Sequence, residues 1–267
     1  MIGKGSAIRQ VFHSATDILI GRRRLPDRYT ELYQPPVTAL TAKTIKSGFT
    51  QLDKAIGIGG LPQRSLIEII GPKPGGILSI ASKIGAKFQR KQLPVSIIDA
   101  VGTVELAHAV RCGLVAPELL LRLPQNALEL IHLVQAASKE DGLVIVYLGF
   151  IPETFAGVPA ENIASLFKRL HWLTNHSESV FLFITLLEHA DPFIHTNYVP
   201  GFQLNDAANV RIWVQDEGWI RKHDQINGYR GNITVIKNDY AMSGKGANIR
   251  IPFVDPEIMR LSDELGF

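Results

Sequence analysis

Ser47–Ser79 reads SGFTQLDKAIGIGGLPQRSLIEIIGPKPGGILS. Ser65–Ile70 is an apolar, isoleucine-rich run, the pattern of a strand buried on both faces. It leads into Gly71-Pro-Lys-Pro-Gly-Gly76, and a helical pattern begins at Ile77. Strand, glycine-bounded loop and helix make the layout of a phosphate-binding loop. That motif, G-x-x-x-x-G-K-[ST], continues with a lysine that reaches the phosphates and a hydroxyl that holds magnesium. Gly71 and Gly76 keep the spacing, but the next two residues are Ile77 and Leu78. The scaffold of a nucleotide site is present without its charge or its metal ligand.

Three readings of this relic loop stand. Gly75, Gly76 and the helix start present backbone N–H groups to an anion. Lys73 partly replaces the missing charge, and Ser79 offers a hydroxyl one position late. Against that, Pro72 and Pro74 remove two donors, and Ile77 and Leu78 bring apolar bulk to where phosphates lie. The residues favour a packed strand-to-helix turn and no cofactor. ATP held without hydrolysis is the second reading and catalysis the third.

Outward from the loop, strands and helices alternate. Helix Ile77–Lys91, strand Val95–Asp99, helices Val104–Cys112 and Gln125–Ser138, and strand Leu143–Tyr147 follow in order. Helix Pro159–Thr174 and strand Val180–Ile184 come next. Four strands without intervening helices close the pattern: Val210–Val214, Gly218–Arg221, Ile233–Lys237 and Ile249–Phe253. Alternation of this kind predicts a three-layer α/β sandwich with a mostly parallel central sheet and right-handed crossovers. The last four strands are expected to pair antiparallel at one edge, with turns at Asn227-Gly228 and Ser243-Gly244.

Several segments resemble the bacterial RecA recombinase family. Ser47-Gly-Phe-Thr-Gln-Leu-Asp53, Gly57-Ile-Gly-Gly-Leu-Pro62 and Glu68-Ile-Ile-Gly-Pro72 carry the resemblance most strongly. Ile97-Ile-Asp-Ala100 is similar to the family's second core strand and Ala109–Gly113 to the helix after it. Val180–Ile184 is similar to a later core strand, and Asn232–Asn238 to a late strand ending in Lys-Asn. Gly3–Arg9 also matches. The resemblance covers most of residues 44–254 and is weak from Leu143 to Ser179. It implies a RecA-like P-loop NTPase core over 44–255. Before it lie a basic N-terminal arm and linker, 1–43, with Gln34-Pro-Pro36 as a break. A tail, 256–267, follows, without the C-terminal domain that RecA carries.

The departures fall on the chemistry the resemblance implies. The family's catalytic glutamate maps to Val101. Its Walker B acid should close the Leu143–Val146 run, but the chain reads Val146-Tyr147. Leu186 takes the place of the polar residue that senses phosphate. The paired lysines that reach a neighbour's nucleotide map to Lys237 and Asp239. Base-contacting positions stay nearer the pattern, with Glu105 for an acid and His108 for an aromatic ring.

Composition fits a globular chain of 267 residues, 46% hydrophobic, able to bury one large core. Its apolar runs, Leu143–Ile151 and Val180–Leu187, are too short to span a membrane. No secretory signal opens the chain. One cysteine, Cys112, cannot pair internally and sits in an apolar helix pattern, so a structural thiol in a reducing cytoplasm is expected.

The net charge of +3 permits a polyanion partner without demanding one. Arg22-Arg23-Arg24 with Arg28 is the densest basic run. Lys83, Lys87, Arg90 and Lys91 recur on the helix after the loop, and Arg221, Lys222 and Arg230 sit near an expected hairpin. In RecA, DNA loops follow the Walker B and sensor strands. The second of these, Glu188–Asn209, carries His189, Phe193, His195, Tyr198 and Phe202, rings that stack on single-stranded bases or pin the loop to a core or interface. The histidines show no zinc spacing, and neither a G-x-S-x-G elbow nor a Cys/His dyad is recognisable. Tyr147 and Glu153 stand isolated.

Together these features imply a RecA-like pseudo-ATPase without metal. It acts in DNA repair, recombination or SOS-type translesion synthesis, as ImuA-like proteins do. Its expected partners are RecA, single-stranded DNA or a repair polymerase complex, and it is expected to be a monomer or small oligomer. Alternatives are a SulA-like regulator of another machine and a residual ATP-dependent recombinase.

Overall fold

The computed structural model describes residues 41–72, 76–188, 199–222 and 225–254, without the side chains of 216 and 217. Strand β1 (Thr44–Ile45) pairs antiparallel with β2 (Leu61–Pro62) around helix α1 (Thr50–Ile56). Gly57 ends α1 in the left-handed conformation, φ +88°, with its N–H directed to the Asp53 carbonyl. Asp53 is itself buried and accepts the Ser47 N–H at 3.0 Å.

Next come β3 (Ser65–Pro72), α2 (Ile77–Gln89), β4 (Val95–Asp99), α3 (Leu106–Arg111), β5 (Leu119–Arg122), α4 (Ala127–Ala137) and β6 (Leu143–Phe150). After them lie α5 (Ile151–Thr154), α6 (Ala160–Asn175), β7 (Val180–Leu187), α7 (Leu204–Ala207), β8 (Val210–Lys222), β9 (Gln225–Asn238) and β10 (Gly246–Pro252). Asn126 starts α4 by accepting the Glu129 N–H, while the Glu129 carboxylate accepts the Gln125 N–H, a reciprocal cap.

Eight strands form one sheet in the order β10-β9-β8-β3-β7-β6-β4-β5. The six from β8 to β5 run parallel; β9 returns antiparallel to β8, and β10 pairs antiparallel with β9. Both faces are covered. Ile67, Ile69, Ile97, Ile145 and Ile184 meet Leu52, Ile80, Ile84 and Phe88 of α1 and α2. On the other face Leu66, Val144, Val146, Phe181 and Phe183 meet Leu130 and Val134 of α4 and Leu166, Phe167 and Leu170 of α6. Two packed faces explain why the central strands read as continuous apolar runs. The three-layer α/β expectation holds. Among the described residues, no helix is long and apolar enough to cross a membrane.

The edges differ from expectation. The two strands expected at Val210–Val214 and Gly218–Arg221 are one strand, β8, with a register shift between Asp216 and Gly218. Asn227-Gly228 is not a turn; both residues lie inside β9. A Cβ on Gly228 would sit 2.4 Å from the Ile251 carbonyl, so this glycine serves a close strand approach. Short β5 was not anticipated.

One ion pair lies inside the sheet. Arg211 of β8 donates from Nε to Glu68 Oε2 of β3 at 2.6 Å, and Glu68 is fully buried. The two residues stand opposite each other in the parallel register. The second oxygen, Glu68 Oε1, has no hydrogen-bond partner.

Candidate functional site

The carboxyl ends of β3, β4, β6 and β7 gather at one edge of the sheet, where open α/β sheets place their ligands. A cleft of about 220 Å³ opens there, lined by the first turn of α2, the β4–α3 turn, α3, β6, β7 and β8.

Its floor is the start of α2, Gly76 to Ser79. Lys73, Pro74 and Gly75 lie outside the described residues, but Gly71, Pro72 and the helix start are defined. Ile77 borders the cleft but is packed into the core, 3% exposed, against Gly71. Leu78 is half-buried on the cleft wall. Gly76 begins α2 in the left-handed region, φ +64°, with no side chain to cap it. The buried ring of Tyr229, from β9, presses on Gly76: a Cβ there would meet ring atoms at 2.3 to 2.5 Å. Tyr229 thus fills space directly against the loop.

The Ser79 hydroxyl, one position past the magnesium ligand's place, is paired within the protein. The side chain is buried and its Oγ lies 2.8 Å from His108 Nε2 of α3. Cys112 Sγ is 3.7 Å from the same nitrogen. Burial lowers the His108 pKa, helped by Arg111 and opposed by Glu105, so the ring is neutral near pH 7. Burial pushes the Cys112 thiol up to about 11. The sequence offered no recognisable Cys/His dyad; the fold does put His108 and Cys112 in contact, with the thiol held protonated. His108 and Cys112 are four apart on one helix and therefore share a face; Ser79 joins them only through the fold.

The acid positions divide. Val101 is exposed at the rim and rests against Gly149. The turn holding it is tied by Asp99, whose carboxylate accepts the N–H groups of Val101, Gly102 and Val104. Val146 is corrected: it points to the opposite face, buried among the α4 and α6 contacts. Alternation along β6 brings Tyr147 into the cleft instead. Burial raises the Tyr147 pKa, keeping it a neutral phenol. Leu186 lines the cleft as expected, and so do Glu105 and His108.

The cleft's outer wall comes from β8. Trp219 is 37% exposed and packs edge-on against Tyr229 at 5.7 Å. Phe253 touches both Trp219 and His108, at 6.2 and 5.4 Å, and the Arg111 guanidinium lies 4.7 Å from the Phe253 ring. Neither Trp219 nor Tyr229 was singled out from sequence.

Other expected residues lie elsewhere. Lys237 donates to the Asn205 and Asp206 carbonyls, and Asp239 accepts from Asn209. Both sit at the opposite edge of the sheet, where Asp239 lines a separate polar groove with Arg64 and Glu178. Lys87 and Arg90 end α2, about 15–20 Å along the helix from the loop. Lys87 is half-buried and Arg90 exposed. Burial, then Arg90, lowers the Lys83 pKa, so that face is partly committed to packing. Arg22, Arg23, Arg24, Phe193, His195 and Tyr198 lie outside the described residues.

Known proteins fit this picture. Residues 36–256 match the model of the RecA N-terminal domain. The chain is 26% identical over 233 residues to Protein RecA of Brevibacillus brevis, covering 81% of this chain and 66% of that one. To Protein RecA of Bacillus velezensis it is 25% identical over 243 residues, covering 83% and 70%. For Protein RecA of Wolbachia pipientis the figures are 24% over 239 residues, 84% and 67%. The chain thus spans about two thirds of the length of these relatives. With the family model matching most of its length on the same α/β core, the chain belongs to the RecA family.

Proposed function

We propose that this chain is a RecA-like accessory protein that does not hydrolyse ATP. It works in DNA repair or recombination, including SOS-type translesion synthesis, by binding RecA, single-stranded DNA or a repair polymerase complex. The observation that carries the reading is the lining of the cleft. Leu78, Tyr147 and Leu186 stand on its walls, Ile77 is folded into the core, and among the described residues no lysine or arginine lines it. Phosphoryl transfer depends on cations, a metal and a positioned acid around the phosphates; Ile77, Leu78, Tyr147 and Leu186 supply none of them, and Glu105 is the one carboxylate in the described lining.

Turnover of ATP by the purified chain, with and without single-stranded DNA, tests the catalytic half. The expected rate equals that of a mock preparation. DNA-stimulated turnover abolished by Gly76→Trp would refute it. Sedimentation with RecA assembled on single-stranded DNA tests the partner half. Binding to DNA alone is expected to be weak, sequence-tolerant and salt-sensitive, because a few Lys/Arg–phosphate contacts release few counterions. Charge reversal at Arg22–Arg24, Lys87 and Arg90 should weaken it further.

A further inference from the structure

We propose that the cleft beside Ile77–Ser79 is a receptor for a guanidinium group, the arginine side chain of a partner protein. The site's preferred charge is then opposite to that of a phosphate-binding loop.

Among the described residues, Glu105 is the one formally charged side chain in the lining. It occupies the N-cap position of α3, yet its carboxylate makes no capping bond. It also takes part in none of the ion pairs among the described residues. A solvent-facing carboxylate is therefore unused at the mouth of the cleft. Around it stand three rings, His108, Tyr147 and Trp219. His108 is kept neutral by burial and so does not compete as a cation. Tryptophan is the strongest ring partner for a cation. A planar guanidinium stacks on such a ring while donating to a carboxylate.

The neighbouring aromatic cluster already accepts this chemistry. Arg111 lies over Phe253, whose ring contacts both His108 and Trp219. Arg111 also donates to the Ile226 carbonyl, which holds it in place.

The start of α2 opposes a cation, since a helix N-terminus carries about half a positive charge. Glu105 brings a whole negative one, and it has no ion-pair partner among the described residues. A polyphosphate meets the reverse balance: the same half charge against a full carboxylate, with no side-chain cation among the described lining residues to help. Size separates a side chain from a whole cofactor. Small-molecule sites run to roughly 300–1,000 Å³, and this cleft is about 220 Å³.

The test titrates the full chain with N-acetyl-arginine amide, free arginine, N-acetyl-glutamine amide and magnesium ATP. The readout is the indole N–H signal of Trp219 by nuclear magnetic resonance, assigned with Trp219→Phe. The blocked arginine is expected to shift that signal saturably and the blocked glutamine not to. Glu105→Gln should weaken arginine binding by about tenfold, the worth of one hydrogen bond to a charged group. The spectrum elsewhere should stay unchanged. Three results overturn the proposal: no arginine response, an arginine response indifferent to Glu105→Gln, or displacement of arginine by ATP. Free arginine binding about tenfold tighter than the blocked form would assign the cleft to a small molecule, and overturns the partner side chain.

Discussion

Gly76→Ala gives the sharpest test of what the relic loop is now for. In a working phosphate loop this glycine serves the nucleotide. Here its Cα faces the Tyr229 ring, with no room for a methyl group. Two costs follow. Holding alanine at φ +64° costs about 1–2 kcal/mol. Forcing a Cβ against a fully buried ring costs about 1–3 kcal/mol more. The single substitution should therefore destabilise the fold by about 3 kcal/mol without any ligand present. Tyr229→Ala alone should cost about 4 kcal/mol through the cavity it leaves. In the double variant the overpacking disappears, and only the backbone cost of an alanine in place of Gly76 remains. The combined loss should fall short of additivity by about 2 kcal/mol. Urea unfolding followed by both circular dichroism and tryptophan fluorescence measures this, provided the two transitions coincide. A Gly76→Ala variant within about 0.5 kcal/mol of the parent, or strict additivity in the cycle, refutes the packing argument.

Ile77→Lys combined with Leu78→Thr should rebuild the loop's consensus without restoring ATP turnover, since Tyr147, Val101 and Leu186 still deny a metal and a base; a coupled-enzyme assay decides. Arg211→Met strands Glu68 as a lone buried carboxylate and should cost about 3–5 kcal/mol in urea unfolding. Adding Glu68→Leu to it should recover most of the loss. Alkaline stability should fall in a defined window. Burial raises Cys112 from 9.0 to about 11, and burial with Asp239 raises Tyr240 from 10.0 to about 12. Below pH 9 both groups are protonated whether folded or not. Above it the unfolded chain releases protons that the folded chain keeps, so stability declines up to about pH 12. Denaturation midpoints that stay flat from about pH 8.5 to 11.5 contradict this.

The sheet was legible because helices cover both of its faces, which leaves long apolar runs such as Val180–Leu187. Its edges were not. Leu119–Arg122 is four residues long and half-exposed, so it lacks a run to detect. Beyond Val214, β8 turns polar, and Gly218 looks like a break although the chain stays extended. The empty lysine and hydroxyl positions could be read directly, since motif spacing is local. The Walker B position slipped by one because a strand's faces alternate, and a single-residue error exchanges core for cleft. The Glu68–Arg211 pair joins residues 143 apart in the chain, and Tyr229 meets Gly76 across a still longer stretch. No local spacing encodes those.

The Glu68–Arg211 pair acts as an alignment pin for a wall it never touches. Strands β3 and β8 meet over only four residue pairs, Ile67↔Val210 to Ile70↔Trp213, and that seam is where the C-terminal strands join the parallel part of the sheet. If β8 slid by one residue, Arg211 would swing to the other face and Glu68 would be left as a solitary buried charge, several kcal/mol uphill. The same slide would carry Trp219 about 3.3 Å along the strand direction, and its hairpin partner Tyr229 with it. Tyr229 would then leave Gly76. A charge pair deep in the sheet thereby dictates where two aromatic rings land at its edge, and the cleft inherits its shape from a bond at the far end of the strand.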